Sequence, residues 1–222
     1  MKELEKLIEE KGKVLPGHIL KVDGFLNHQL DVDVIDKIGK EFSRIFADIK
    51  PDKILTVESS GIAIAQATSM NMDKQPVLFA KKVEHHNVSS EVYQCPEKSY
   101  TTGKTYIVQL SKDYLKENDN ILIIDDFLAN GEALNALLTI CNKAKVNVLG
   151  IGIVICKTFQ PGYERIKKMC PRIELLAPVK SMSDDGKIEW SKKVRVGYLD
   201  QHTALEKGMT IAVEPMVIAG DY

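Results

Sequence analysis

Short apolar runs alternate along most of this chain with stretches in which apolar residues recur every three or four positions. The runs at residues 53–57, 77–80, 104–110, 121–124, 147–156 and 173–177 read as strands. The strongest of them, 121–124, has the unbroken branched character of a strand buried on both faces, as in a parallel sheet covered by helices. The periodic stretches at 33–47, 62–69, 132–145 and 163–169 read as the covering helices. In the first of these, Val34, Ile35, Ile38, Phe42, Ile45 and Phe46 form one apolar face, predicted to pack beneath the sheet. Ahead of it lie an amphipathic helix over 2–11 ended by Gly12, a Pro16-Gly17 turn, a short strand at 19–20 and a connection through 26–29. The predicted class is α/β, with a central, mainly parallel sheet flanked by helices.

The chemistry concentrates where these strands end. Asp125 and Asp126 stand where the run 121–124 is predicted to stop, and a short loop through Asn130 and Gly131 leads into the helix starting near Glu132. This is the carboxyl edge of the sheet, where open α/β proteins bind ligands. The first amides of a helix have no intrahelical acceptor and receive phosphate readily, and Gly131 permits close approach or positive φ. An anion cradle and an acidic pair side by side suit a sugar phosphate; the plainer alternative is two solvated aspartates before an ordinary helix start. Ser59-Ser60-Gly61 repeats the layout after the strand 53–57, either as a pyrophosphate cradle or as a serine N-cap. Lys81, of the pair Lys81-Lys82, is either a neutralising charge for that anion or a surface lysine. The strand 147–156 delivers Lys157 to the same edge, as a boundary charge or as a ligand for an electronegative group. Phe159, two residues on, offers a ring to stack on a flat base. Residues 84–103 are polar without period and read as a lid or arm; within them the adjacent His85 and His86 read as solvated.

The wording of four separated blocks narrows this. Residues 20–29 (LKVDGFLNHQ), 58–63 (ESSGIA), 125–131 (DDFLANG) and 152–162 (GIVICKTFQPG) resemble the type I phosphoribosyltransferases, and within them the bacterial xanthine phosphoribosyltransferases. The resemblance implies a type I phosphoribosyltransferase fold over residues 1–195, with a core at 51–177 and a small hood from 1–50 and 178–195, followed by an extension at 196–222. It implies transfer of the 5-phosphoribosyl group of phosphoribosyl pyrophosphate (PRPP) to N9 of xanthine. The alternatives are a hypoxanthine/guanine or adenine phosphoribosyltransferase, or a non-catalytic purine-responsive transcription regulator. The implied roles are catalysis for Asp125 and Asp126; xanthine binding for Leu20, Asn27, Lys157 and Phe159; PRPP binding for Ala129, Asn130, Gly131, Glu132 and Ala133; and pyrophosphate binding for Ser59, Ser60, Gly61 and Lys81. Asn27 read without the resemblance is by default a cap or turn residue, or else an amide facing a ligand. Mg²⁺ is expected to arrive on the substrate, with the two aspartates as its nearest protein oxygens, and a homodimer is expected. The chain departs from the wider family in carrying Ala129, Asn130 and Ala133 where threonine or serine is frequent. Glu132 is acidic beside the phosphate site and must point away.

Charge and composition narrow the partners. Thirty Lys and Arg against 31 Asp and Glu give a net charge of -1, which advertises no nucleic-acid face. Cys95, Cys141, Cys156 and Cys170 lack metal-ligand spacing and read as reduced, mostly buried thiols. No apolar run approaches the roughly 20 residues that span a bilayer, so a cytoplasmic protein without a membrane partner is expected. Trp190 reads as packing in a terminal hairpin, and Glu214, in a stretch faintly like a metal-ligand strand of methionine aminopeptidases, as structural.

Overall fold

The computed structural model describes residues 1–83, 91–98, 105–183 and 185–191. In chain order the elements are α1 (Lys2–Lys11), β1 (Lys13–Leu15), β2 (Ile19–Lys21), a wide helical turn at Asp23–Asn27, α2 (Val32–Ile45), β3 (Lys53–Val57), α3 (Gly61–Met70) and β4 (Val77–Val83). There follow β5 (Val92–Lys98), β6 (Thr105–Ser111), β7 (Asn120–Leu128), α4 (Glu132–Ala144), β8 (Asn147–Lys157), α5 (Gly162–Met169), β9 (Ile173–Met182) and β10 (Ile188–Trp190). Eight strands form one sheet in the order β10-β9-β8-β7-β3-β4-β6-β5. Its five middle strands, β9 to β4, are parallel. The outer strands β10, β6 and β5 add antiparallel pairs, and β1 with β2 makes a separate hairpin.

Helices cover both faces, as the apolar runs require. On one side α1, α2 and α3 bury Leu4, Ile8, Ile38, Phe42 and Ile64 against Ile54, Leu122, Ile124 and Val154. On the other, α4 and α5 bury Leu137, Ile140 and Ile166 against Ile121, Ile123, Ile151 and Ile153. Removing this surface from water is what drives the layers together. α2 starts where Asp31 Oδ1 accepts from the Val34 amide at 3.3 Å. Its Phe42 ring then lies so close to β8 that a Cβ on Gly152 would come within 2.8 Å of it.

Two expectations are corrected. The central strand does not stop before the aspartates: it runs through Asp125 and Asp126 to Leu128. Phe127 pairs with Ile155 and Leu128 with Cys156, so apolar residues on the far side of the acidic pair carry the ladder on. The segment 84–103 is also not structureless throughout, because β5 lies within it, paired with β6 in a seven-residue register. Tyr93 and Cys95 pack against the core while Pro96, which has no N–H, is accommodated because β5 is an edge strand. The rest of that arm, with His85 and His86, and the tail 196–222 with Glu214 fall outside the described residues. Trp190 sits in a β9–β10 hairpin and donates from Nε1 to Glu9 Oε1 at 2.6 Å.

Candidate active site

The carboxyl ends of β3 and β7 border a cleft of about 260 Å³ lined by Glu58, Ser59, Ser60, Lys82, Asp125 and Asp126, with Phe127 and Ala133 beside them. The two aspartates differ in setting. Asp125 is 3% exposed, and burial, then the neighbouring Asp126 charge, pushes its carboxyl well above the usual range. Asp126 is also raised by burial, an effect opposed by a hydrogen bond from Ser60. Asn27, from the wide turn after β2, donates from Nδ2 to Asp126 Oδ2 at 3.3 Å. Gly61 lets α3 begin directly over this pair: a Cβ there would collide with Thr56 Oγ1 and lie 2.9 Å from Asp125 Oδ1. Among the described residues the buried Thr56 hydroxyl has no hydrogen-bond partner. The Glu58–Ser59 peptide is cis, and Glu58 Oε1 accepts from the Lys82 amide at 2.5 Å.

The loop after β7 is held from α5. Gly131 adopts φ 83° and begins α4, while the Gly162 amide donates to the Ala129 carbonyl at 3.1 Å. Glu132, whose charge would repel a phosphate, is turned toward α5, 3.0 Å from Arg165. The Glu132 carboxylate is thereby paired with α5 at the start of α4, where an uncompensated charge would compete with a phosphate for the first amides.

A second cluster lies where β8 ends. Lys157 Nζ donates to the His18 carbonyl at 2.8 Å and stands 6.0 Å from the centre of the Phe127 ring; burial lowers its pKa. Phe159 is 38% exposed and meets the His18 ring edge-on at 5.4 Å. Leu20, in β2, is buried in the core beneath the hairpin. The structure thus brings Ser59, Ser60, Asp125, Asp126 and Ala133 into one cleft, ties Asn27 to it, and gathers Lys157 and Phe159 under the hairpin.

Lys82, rather than Lys81, lines the cleft. Both lie within β4, whose alternation puts Lys82 on the face of Leu78 and Ala80 and sends Lys81 to the opposite one. Sequence reasoning also missed Glu58, Thr56, Phe127 and His18. A strand carried three residues further would have shown the Lys82 phase. The unpaired Thr56 hydroxyl had no signal, since its burial comes from α3 packing over it.

Comparison with known proteins fixes the kinship. The Phosphoribosyl transferase domain matches residues 22–196. Proteins named xanthine phosphoribosyltransferase from Pediococcus pentosaceus and Clostridioides difficile are 48% and 46% identical over 190 residues, which is 86% of this chain and 100% of each relative. This chain belongs to the phosphoribosyltransferase family. Solved adenine phosphoribosyltransferases share the family fold at low identity. Those from Giardia lamblia, in complex with 9-deazaadenine, and Rhodothermus marinus give TM-scores of 0.64 and 0.63 at 19% and 16% identity. They cover 80% and 81% of this chain, and 96% and 100% of their own.

All four cysteines are free and buried, and burial pushes the Cys141 and Cys156 thiols up to about 12, far from a reactive thiolate. Among the described residues there is no cluster of three or more His, Cys, Asp or Glu side chains able to hold a metal by themselves. No helix among them is long and apolar enough to cross a membrane.

Proposed function

We propose that this chain transfers the 5-phosphoribosyl group of PRPP to N9 of xanthine, giving xanthosine 5′-monophosphate and pyrophosphate. The observation that carries the reading is the 45–48% identity to xanthine phosphoribosyltransferases along essentially their whole length. The geometry is compatible with it at each step.

In the reaction the C1′–oxygen bond to pyrophosphate breaks, the N9–C1′ bond forms, and the base sheds the proton of that nitrogen. Positive charge grows on the ribose ring meanwhile, and fixed carboxylates next to such a state stabilise it. Asp125 and Asp126 take that role and hold the ribose hydroxyls. The loop Ala129, Asn130, Gly131, Glu132 and Ala133 receives the 5′-phosphate through backbone amides, with the Glu132 side chain directed away to Arg165. Ser59, Ser60 and Gly61 hold the pyrophosphate, and Lys82 supplies the positive charge expected earlier of Lys81.

The acidic pair also fits a hard divalent cation. Two adjacent carboxylates held above their usual range by burial, with the Asp126 charge adding to the rise at Asp125, are relieved by an oxygen-seeking ion. Asp125 and Asp126 would hold Mg²⁺ carried in on PRPP, directly or through water, and the ion would supply positive charge to offset that of the pyrophosphate. A homodimer and a cytoplasmic location belong to the same proposal.

Base choice follows from donors. Lys157 has only N–H donors, which suits a 6-oxo group and leaves the amino group of adenine badly paired. Asn27 spends one amide N–H on Asp126 and keeps a second for the 2-oxo group that xanthine has and hypoxanthine lacks. The test is pyrophosphate release with PRPP and Mg²⁺, offering xanthine, guanine, hypoxanthine and adenine in separate reactions. Xanthine is expected to give the highest kcat/KM. A different preferred base overturns the pocket assignment, and tight PRPP binding without release for any base favours the regulator.

A further inference from the structure

The hairpin of β1 and β2 turns through Pro16, Gly17 and His18, and the tip of that turn lies against the end of β8. Two of these three turn residues have positive φ, 81° at Gly17 and 60° at His18. Glycine adopts that conformation without cost and histidine is among the other residues found in it, so the turn admits an imidazole here and its contacts decide what it does. Among the described residues, His18 has one hydrogen bond and one ring contact to groups assigned to base recognition. Its carbonyl accepts from Lys157 Nζ at 2.8 Å, and its ring meets Phe159 edge-on with centroids 5.4 Å apart.

The backbone around Phe159 is already fixed. The Thr158 amide and hydroxyl both donate to the Val179 carbonyl, at 2.8 and 2.9 Å, and the Gln160 amide donates to Lys157 O at 2.9 Å. What those bonds leave free is the Phe159 side chain, 38% exposed at the open end of the strand. An exposed ring must be ordered before it can stack on a flat base, and an abutting ring meets that entropic cost in advance. Lys157 has the same problem: a flexible four-carbon stem with three equivalent donors. One fixed acceptor on one side directs the remaining donors to the other.

We propose that His18 is a positioning residue of the base pocket, its ring holding Phe159 in stacking position and its carbonyl aiming Lys157. The proposal rests on the reading of that pocket given above. It makes the hairpin tip part of specificity for the base while leaving the phosphate and ribose sites independent of it.

Equilibrium titration separates the two. Wild type, His18→Gly and His18→Phe are each titrated with xanthosine 5′-monophosphate and with ribose 5-phosphate, which shares the phosphate and ribose contacts but carries no base. Glycine is favoured at φ 60°, so His18→Gly keeps the turn and the carbonyl while removing the ring, and a folding defect is not expected. Nucleotide affinity should fall about five- to tenfold in His18→Gly, the scale of one aromatic pair. Ribose 5-phosphate affinity should stay within about twofold, and His18→Phe should restore nucleotide binding to within about twofold of wild type. In steady state the same split raises KM for the base with little change in kcat. Unchanged nucleotide affinity in His18→Gly overturns the proposal, as does an equal loss for both ligands. If wild type prefers another purine nucleotide, the base named above is wrong, and that nucleotide becomes the probe. A wild type that binds no purine nucleotide overturns both.

Discussion

Asp125 is buried between Gly61 and Asp126, and its position governs both its titration and its use. Because its folded pKa lies above the ordinary 3.8, ionising it costs folding free energy. The stabilising influence of the neutral form is fully present below pH 3.8 and is lost as pH rises through the raised folded value. Asp125→Asn should therefore raise the melting temperature at neutral pH, with the gain over wild type vanishing toward pH 3.8, while turnover falls about hundredfold or more. A melting series from pH 3 to 8 beside a pyrophosphate-release assay checks both; lower stability at neutral pH would contradict the burial argument. Lys157→Ala makes the complementary residue-scale prediction. Removing a charged donor to a 6-oxo group should cost about 10- to 100-fold in kcat/KM for 6-oxopurines. Equal turnover with and without Lys157 sinks the assignment. The aspartates were legible because an acidic pair after four branched residues is a sharp local signal. Thr56 and Lys82 were not, because burial of the one and strand phase of the other are set by neighbours distant in sequence.

At the scale of elements, the loop from β7 to α4 owes its shape to α5. A Cβ at Gly162 would collide with the Ala129 carbonyl oxygen and lie 2.7 Å from the Gly131 nitrogen and 2.8 Å from the Asn130 carbonyl carbon. All three are backbone atoms of the proposed phosphate cradle, and none can swing aside as a side chain would. Gly162→Ala should therefore weaken ribose 5-phosphate binding about tenfold or more while costing about 1–3 kcal/mol of stability. Calorimetric titration together with urea unfolding measures both, and an unchanged affinity would mean that this loop does not hold the phosphate. Strand and helix positions of the core were readable from periodicity, but the carboxyl ends of β4, β7 and β9 and the whole of β5 were not. The polarity of Asp125 and Asp126 hid the continuation of β7, whose pairing partners Ile155 and Cys156 lie on another strand. Pro96 and the polar neighbours of Cys95 hid β5, an edge strand that needs only one packed face.

For the molecule as a whole, the sequence supplied strands without their neighbours. That β7 lies between β3 and β8, with β4 and its antiparallel partners beyond β3, follows from long-range pairing that no local pattern carries. The same long-range packing binds the amino-terminal elements to the sheet. Leu4 and Ile8 of α1 and Leu20 of β2 share one apolar core with Phe42, Leu122, Val154, Leu176 and Met182, and Trp190 of β10 both packs on that core and bonds Glu9. Amino-terminal elements and β10 joined in this way, the proposed hood, should not melt ahead of the core that carries the aspartates. Ile8 is fully buried, so Ile8→Ala should lower stability by about 2–5 kcal/mol as a shift of a single urea transition with unchanged denaturant slope. Far-ultraviolet dichroism and Trp190 fluorescence, the latter reporting on the α1–β10 contact, should give the same midpoint. An earlier fluorescence transition would mean that the hood is a separate cooperative unit, and the Asn27–Asp126 bond would then join two bodies able to open independently. Coincident transitions would instead make the hairpin proposed to bind the base as stable as the sheet, so that the proposed base pocket is built into the folded state before any substrate arrives.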